Sequence, residues 1–269
     1  MIPRLLISDI DGTLVRPDKS LSAPVIYAVG RLVAAGVPVS LISARPPSGM
    51  LWIAERLGLA TPIGAFNGGT ILHPDGRILS AEHLGAETVT RTLALIDRPG
   101  VIRWLFARGQ WYADRLDEDF TPRERVSSNQ EPVLCTDLAR FAEETDKIVA
   151  VSPDHAMLAE LEAEVAAALG TRATVARSQP YYLDVTAVAA NKGDGVAALA
   201  AELAVPMDAV AVIGDQRNDL PMFARAGLSI AMGQAPDEVR AAAVQITGSN
   251  AEDGVAQAID RILMPLVAG

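Results

Sequence analysis

Short unbroken apolar runs alternate along this chain with longer stretches in which alanine and leucine recur at helical spacing. Arg4-Leu5-Leu6-Ile7-Ser8 is continuous rather than alternating, as expected of a strand covered on both faces. Ser22 to Ala35 predicts a helix, with Ser22 as N-cap, Pro24 in the first turn and Gly36 just past the end. Val37 to Ser43 is a second apolar run, Gly49 to Leu57 a helix stopped by Gly58, and Pro62 to Phe66 a third strand. Strands and helices alternating at this short spacing predict a doubly wound parallel sheet of the α/β class. The same rhythm returns near the C-terminus. Lys192 to Leu203 reads as helix, Ala209 to Gly214 as strand, Leu220 to Ala226 as helix, Leu228 to Met232 as strand and Asp237 to Ala243 as helix.

The middle is patterned differently. Thr70 to His73 and Arg77 to Leu79 flank Pro74-Asp75-Gly76, a hairpin signature. A helix follows (Ala86 to Ile96), then two runs around Gly109 and a long polar loop, Asp114 to Asp146, whose acid run Asp117-Glu118-Asp119 reads as solvated. Beyond it come a strand (Lys147 to Ser152), a helix (Pro153 to Leu169) and two strands (Arg172 to Ala176, Tyr181 to Thr186). This predicts an α+β segment, residues 81–188, inserted into an α/β core of residues 1–80 plus 189–269. Trp104, Trp111 and Tyr181 are expected in the core of the insert, with one of them a candidate to face a ligand. Asp184 fits either a structural or a ligand-facing place.

Composition narrows the class. At 269 residues and 50% hydrophobic, the chain has material for one large domain or two, and disorder as its main state is excluded. A formal charge of −10 argues against a nucleic-acid polymer as partner, since phosphate contacts need a basic face. The single cysteine, Cys135, can form neither an internal disulfide nor a cysteine-rich metal site, which is compatible with the cytoplasm. The apolar run before Asp9 is too short for a signal peptide. Glu202, Pro206 and Asp208 interrupt the most apolar stretch, Val196 to Ile213, so neither a membrane span nor a membrane partner is expected. The three histidines, His73, His83 and His155, lack ligand spacing and read as surface residues.

Chemistry concentrates where the apolar runs end. Asp9-Ile10-Asp11-Gly12-Thr13 follows the first strand directly, and open α/β sheets bind ligands beyond the carboxyl ends of their strands. One carboxylate there suits a nucleophile and the other a proton carrier; an acidic turn is the plainer alternative. Gly214-Asp215-Gln216-Arg217-Asn218-Asp219 repeats the arrangement after the strand ending at Ile213. Two such acidic ends could share a Mg²⁺ ion, which takes oxygen ligands and few protein carboxylates; a strand-to-helix turn capped by Asp219 is the alternative. Ser43-Ala44-Arg45 offers a hydroxyl and backbone N–H groups near a helix start, where anions are favoured. Lys192 stands in a first helical turn, against the helix dipole, which calls for an acidic partner or an anionic ligand.

The ordered set Asp9-x-Asp11-Gly12-Thr13, Ser43-x-Arg45, Asn67-Gly68, Lys192-Gly193 and Gly214-Asp215-x-x-Asn218-Asp219 resembles the haloacid dehalogenase superfamily. Within it, the chain is similar to the Cof-type phosphatases, which have a Rossmannoid core and an inserted C2B cap. The resemblance implies Asp9 as the nucleophile that becomes an aspartyl-phosphate, and as a Mg²⁺ ligand. It implies Asp11 as general acid/base, lending its backbone carbonyl to the metal. Ser43 and the Ala44 N–H would bind phosphoryl oxygens, with Arg45, Asn67, Gly68 and Asn218 as further substrate or phosphate contacts. Lys192 would neutralise charge, and Asp215 and Asp219 would complete the metal site. Two departures stand out: Ala44 where the family usually has Gly, and Gln216-Arg217, which puts an extra cation near the mouth. The implied activity is Mg²⁺-dependent hydrolysis of a small phosphorylated metabolite such as a sugar, nucleotide or cofactor phosphate, with substrate choice made in the insert. A phosphohexose mutase and a non-catalytic phosphate-binding protein are the alternatives, and monomer and homodimer both stay open. A dinucleotide oxidoreductase is disfavoured, because no Gly-x-Gly-x-x-Gly follows the first strand.

Overall fold

Leu5, Leu6 and Ile7 are all withdrawn from water, and they divide between two sides of one sheet. Leu6 packs with Val25, Val29 and Leu32 of one helix, whereas Leu5 and Ile7 pack with Val196, Leu199 and Met222 on the opposite face. Full burial of each such side chain contributes about 1.5–3 kcal/mol, which is why the run is unbroken rather than alternating.

The computed structural model describes residues 2–268. The chain begins with β1 (Leu5–Ser8), α1 (Ala23–Ala34), β2 (Val39–Leu41), α2 (Pro47–Arg56), β3 (Ile63–Ala65), β4 (Thr70–Leu72) and β5 (Ile78–Ala81). Its middle supplies α3 (Ala86–Leu95), β6 (Ile102–Ala107), β7 (Gln110–Ala113), α4 (Phe120–Ser128), β8 (Val133–Leu134), β9 (Thr145–Val151), α5 (His155–Leu169), β10 (Thr174–Gln179) and β11 (Tyr182–Thr186). The remainder is α6 (Lys192–Glu202), β12 (Val210–Gly214), α7 (Leu220–Phe223), β13 (Leu228–Ala231), α8 (Asp237–Ala242), β14 (Gln245–Ile246), α9 (Gly254–Ala258) and α10 (Met264–Ala268).

The strands form a five-stranded parallel sheet in the order β14-β13-β12-β1-β2, a six-stranded sheet in the order β10-β11-β9-β6-β7-β8, and the three-stranded β3-β4-β5. Register in the parallel sheet fixes the site. Ser8 at the end of β1 lies beside Ile213 of β12 and Leu41 of β2, so three neighbouring strands finish at one level. The residues that follow them emerge side by side at that edge.

Ser22 caps α1 as its position predicts, accepting a hydrogen bond from the Val25 N–H. Four expectations need correction. β3 is not a full member of the parallel sheet: it pairs antiparallel with β4 and touches the parallel sheet through one bridge, Ile42 to Gly64. The helix expected over 220–226 is shorter, ending at Phe223. The polar stretch 114–146 is not one long loop, because it contains α4. Phe120, Glu124 and Ser128 bury one side of α4 at a spacing of four, but two of these three are polar, so no apolar period shows in the sequence. Asp117 is not merely solvated either, since its carboxylate accepts from the backbone N–H groups of Asp119, Phe120 and Thr121 at the start of that helix.

Helices α3 and α5 cover one face of the six-stranded sheet, through Val89, Leu93, Leu158 and Leu161. Trp104 and Trp111 are fully buried on the other face, edge to face with ring centres 4.9 Å apart. Neither can face a ligand. No helix among the described residues is long and apolar enough to cross a membrane.

Candidate active site

Because β1, β12 and β2 end together, Asp9, Asp215 and Ser43 converge on the mouth of one cavity. The Asp9 N–H donates to the Ile213 carbonyl at 2.9 Å, continuing the β1–β12 ladder one residue past the strand. The chain then turns at Gly12, whose φ of +80° suits glycine. A Cβ there would stand 2.2 Å from Asp215 Oδ2, so only glycine lets the first acidic turn approach the second. Thr13 Oγ1 donates across the gap to Asp215 Oδ1 at 3.2 Å.

Lys192 arrives from the opposite side. Asn191 caps α6 by accepting from the Asp194 N–H, and Lys192 takes the first helical position. Its side chain is 1% exposed, and Nζ donates to Asp9 Oδ1 and Asp219 Oδ1 at 2.5 Å each. The acidic partners called for by its place against the helix dipole are therefore two carboxylates. Burial pulls the Lys192 ammonium down, but Asp219 and Asp9 outweigh it and hold the group above its ordinary value. Asp219 is fixed on its other oxygen, Oδ2, which accepts from the backbone N–H groups of Asp215 and Gln216 at 2.7 and 2.9 Å.

Oxygens of Asp9, Asp215 and Asp219 all lie within 4.8 Å of one another. Burial, opposed by Lys192, leaves Asp9 raised to about 7; burial together with the Asp9 and Asp219 charges raises Asp215 to about 8. Asp9 and Asp219 share the Lys192 ammonium, Asp215 lies beside them, and all three are hard oxygen donors. That donor set fits a hard divalent cation.

Asp11 turns away from this cluster. Arg45 clamps its carboxylate through Nε at 2.6 Å and Nη2 at 2.8 Å, and Lys19 Nζ adds a contact at 2.7 Å. Burial pushes the Asp11 carboxyl up, but Arg45 and Lys19 outweigh it and hold the group well below the usual carboxylate range. Arg45 is thus directed to Asp11 and to the Gly49 carbonyl. Ser43 is 1% exposed, and it lines the cavity with Ala44. Asn67 and Asn218 meet, with Asn218 Nδ2 donating to Asn67 Oδ1 at 3.4 Å, but only Asn218 lines the cavity. Gly68 does not line it; it abuts Gly195 of α6 instead. The extra cation expected near the mouth is not there, because Arg217 points outward to Glu238 of α8.

The cavity measures about 560 Å³, and most of its lining residues carried no motif. Lys19, Glu124, Lys147, Tyr181 and Tyr182 are among them. Lys147 had a legible signal: a lysine heading an apolar strand must find a buried partner. That partner is Asp184 at 3.0 Å, and the Ala44 carbonyl accepts from the same ammonium at 3.2 Å. Asp184 is therefore a buried ion-pair member tied to the site.

The model of the haloacid dehalogenase-like hydrolases matches residues 6–259. The chain belongs to this family. It is 29% identical over 239 residues to an HMP-PP phosphatase of Cronobacter sakazakii, covering 88% of this chain and 87% of the relative. It is 27% identical over 266 residues to a 5-amino-6-(5-phospho-D-ribitylamino)uracil phosphatase of Bacillus subtilis, covering 95% and 96%. A haloacid dehalogenase-like hydrolase of Bacteroides thetaiotaomicron has a similar structure, with a TM-score of 0.85, 27% identity and 97% and 99% of the two chains covered. For a hydrolase of this family, the acidic strand ends and the buried lysine around one cavity are the natural place to look for the reaction.

Proposed function

We propose that this hydrolase is a cytoplasmic, Mg²⁺-dependent phosphatase that cleaves a small phosphorylated metabolite through an aspartyl-phosphate on Asp9. The observation that carries the reading is Lys192 joining Asp9 to Asp219 with Asp215 alongside, where Asp9 and Asp215 line a cavity large enough for a small ester. The two named relatives, one acting on HMP-PP and one on a phosphorylated ribitylaminouracil, support the substrate class.

Lys192 holds Asp9 Oδ1 and leaves Oδ2 with no hydrogen bond among the described residues. Asp9 attacks phosphorus, the ester P–O bond breaks, and Asp11 gives a proton to the departing oxygen. Water then attacks the aspartyl-phosphate while Asp11 takes a proton from it, releasing phosphate and restoring Asp9. The ionised state in which Arg45 and Lys19 hold Asp11 is the one that serves the water step. An arriving dianion competes for those two cations and favours the protonated state that serves the first step. Ser43, Ala44 and Asn218 line the cavity, and the Ser43 hydroxyl and the Ala44 N–H would take the phosphoryl oxygens. Mg²⁺, held by Asp9, Asp215, the Asp11 carbonyl and groups oriented by Asp219, would screen the charge of the phosphoryl group. Residues 81–188 act as the cap over residues 1–80 and 189–269, and contacts to the leaving group come from them.

A phosphate-release assay over phosphorylated sugars, nucleotides and cofactor precursors tests the reading. Hydrolysis of at least one ester, lost in chelator and restored by Mg²⁺, is expected. Undiminished hydrolysis after exhaustive chelation would refute it.

A further inference from the structure

Among the described residues, Glu124 is the one cavity-lining carboxylate outside the motifs that is nine-tenths buried, and it has no partner there. It is 8% exposed, and its carboxyl accepts no hydrogen bond and joins no ion pair among the described residues. The nearby cations are already engaged. Lys147 donates to Asp184 and to the Ala44 carbonyl, while Arg45 is divided between Asp11 and the Gly49 carbonyl. Arg123 lies at the exposed rim, over the rings of Phe120 and Tyr181. Nor is Glu124 loosely placed. The Ser48 hydroxyl at the start of α2 donates to the Ser128 carbonyl at 2.6 Å and accepts from Gln130 Nε2 at 2.7 Å, pinning the end of α4 to the core just beyond Arg45.

The carboxyl opens to the cavity, so the donor it lacks within the protein must come from water or from a ligand bound there. Burial pushes Glu124 up to about 7, against Lys147 and with the help of Asp184 and Asp11, which places those charges within range of it. Asp11, the group assigned to the departing oxygen, lines the same cavity, and the end of α4 abuts Gly49, whose carbonyl holds the Arg45 that clamps Asp11, so Glu124 stands on the Asp11 side of the cavity. We infer that Glu124 is a specificity-determining residue that accepts a hydrogen bond from a hydroxyl or amino group next to the ester oxygen and turns away leaving groups bearing a second negative charge there. The substrate class is then a phosphomonoester of a neutral, hydroxyl- or amino-bearing alcohol. A carboxylate or phosphate at that position would meet Glu124 and Asp11, with Arg45, Lys19 and Lys147 already paired to carboxylates and Arg123 held at the exposed rim over its rings. This rests on the phosphatase reading above.

The test uses glycerol 2-phosphate and 2-phosphoglycerate, which differ only in a hydroxymethyl group replaced by carboxylate beside the ester carbon. Rates are measured with Mg²⁺ at pH 8, where Glu124 is mostly ionised, with p-nitrophenyl phosphate as a reference ester. The whole protein is expected to prefer glycerol 2-phosphate by about tenfold or more in kcat/KM, from like-charge repulsion. Glu124→Gln should bring that preference to within about threefold, and Glu124→Asp, which keeps the charge, should largely retain it. Each preference is a ratio on one sample, so loss of active protein cancels. Equal or better turnover of 2-phosphoglycerate by the unmodified protein overturns the inference without any variant, as does an unchanged ratio in Glu124→Gln. Failure to hydrolyse any of these three esters or any ester of the broader panel above instead removes the phosphatase reading on which it stands.

Discussion

A lysine in the first turn of a helix faces the positive end of the helix dipole, and Lys192 does so while almost wholly withdrawn from water. Asp9 and Asp219 make that position tolerable, and Lys192 in turn holds one oxygen of Asp9 so that the other stays free. The two leading aspartates are therefore held in opposite ways: Asp9 by a buried ammonium beside other carboxylates, Asp11 by Arg45 and Lys19. Substituting them should separate their roles. Asp9→Asn is expected to abolish turnover and phosphoryl-enzyme formation, since an amide is a poor nucleophile. Asp11→Asn should still form the phosphoryl-enzyme but lose about 10²–10⁴ in kcat, the range for general acid/base groups. Rapid-quench measurement of protein-bound phosphate distinguishes the two, and near-normal rates in Asp9→Asn would sink the covalent mechanism.

The site is assembled from strand ends and one helix start, so the joints between elements matter as much as the reactive residues. Gly68 is such a joint. It has a φ of +94°, and a Cβ on it would stand 2.4 Å from Gly195 Cα in the first turn of α6. Gly68→Ala must either strain the backbone by about 1–3 kcal/mol or push α6, and Lys192 with it, away from Asp9. Lower stability in urea together with reduced kcat is the expected outcome. A variant as stable and as active as the parent would show that this contact does not position Lys192. Helix α4 illustrates the same dependence from the other side. Its buried positions Phe120, Glu124 and Ser128 keep helical spacing, but the polar ones gain a reason to be buried only when α2 and the cavity lie beside them.

At the scale of the whole molecule, the acidic cluster couples stability to pH and to metal. In the unfolded chain Asp9 and Asp215 titrate near 3.8; folding raises them to about 7 and about 8, so the folded state binds more protons. Their contribution to stability is complete below pH 3.8 and is lost as pH rises through 7 and 8. Asp11 has the opposite sign, but its contribution is already constant above its unfolded value and does not change in this window. Glu124, raised to about 7, adds to the same loss without responding to metal. In chelator the melting temperature should therefore fall between about pH 5 and pH 8. Mg²⁺ binds the ionised carboxylates, so it should raise the melting temperature more at pH 8 than at pH 5. A Mg²⁺ effect as large at pH 5 as at pH 8 would contradict the assignment of these residues to the metal.

Local information was enough for β1, α1, β12 and the alternation of strands and helices on both sides of the insert, because the buried runs, the cap at Ser22 and the glycines after helix ends act within a few residues. It was also enough to mark Asp9, Asp11, Ser43, Lys192 and Asp215 as candidates, since each stands where an apolar run or a helix begins or ends. Tertiary structure alone decided what each of them touches. Parallel register put Ser8 level with Ile213 and Leu41, and the packing of Gly68 on Gly195 set the first turn of α6 beside them. It directed Arg45 to Asp11, sent Arg217 outward to Glu238, and carried Glu124 and Lys147 into the cavity. Those outcomes depend on which surfaces meet across about 20 to 200 positions of chain. Periodicity along a segment reports which side of an element avoids water, but it holds no record of the partner that side will find.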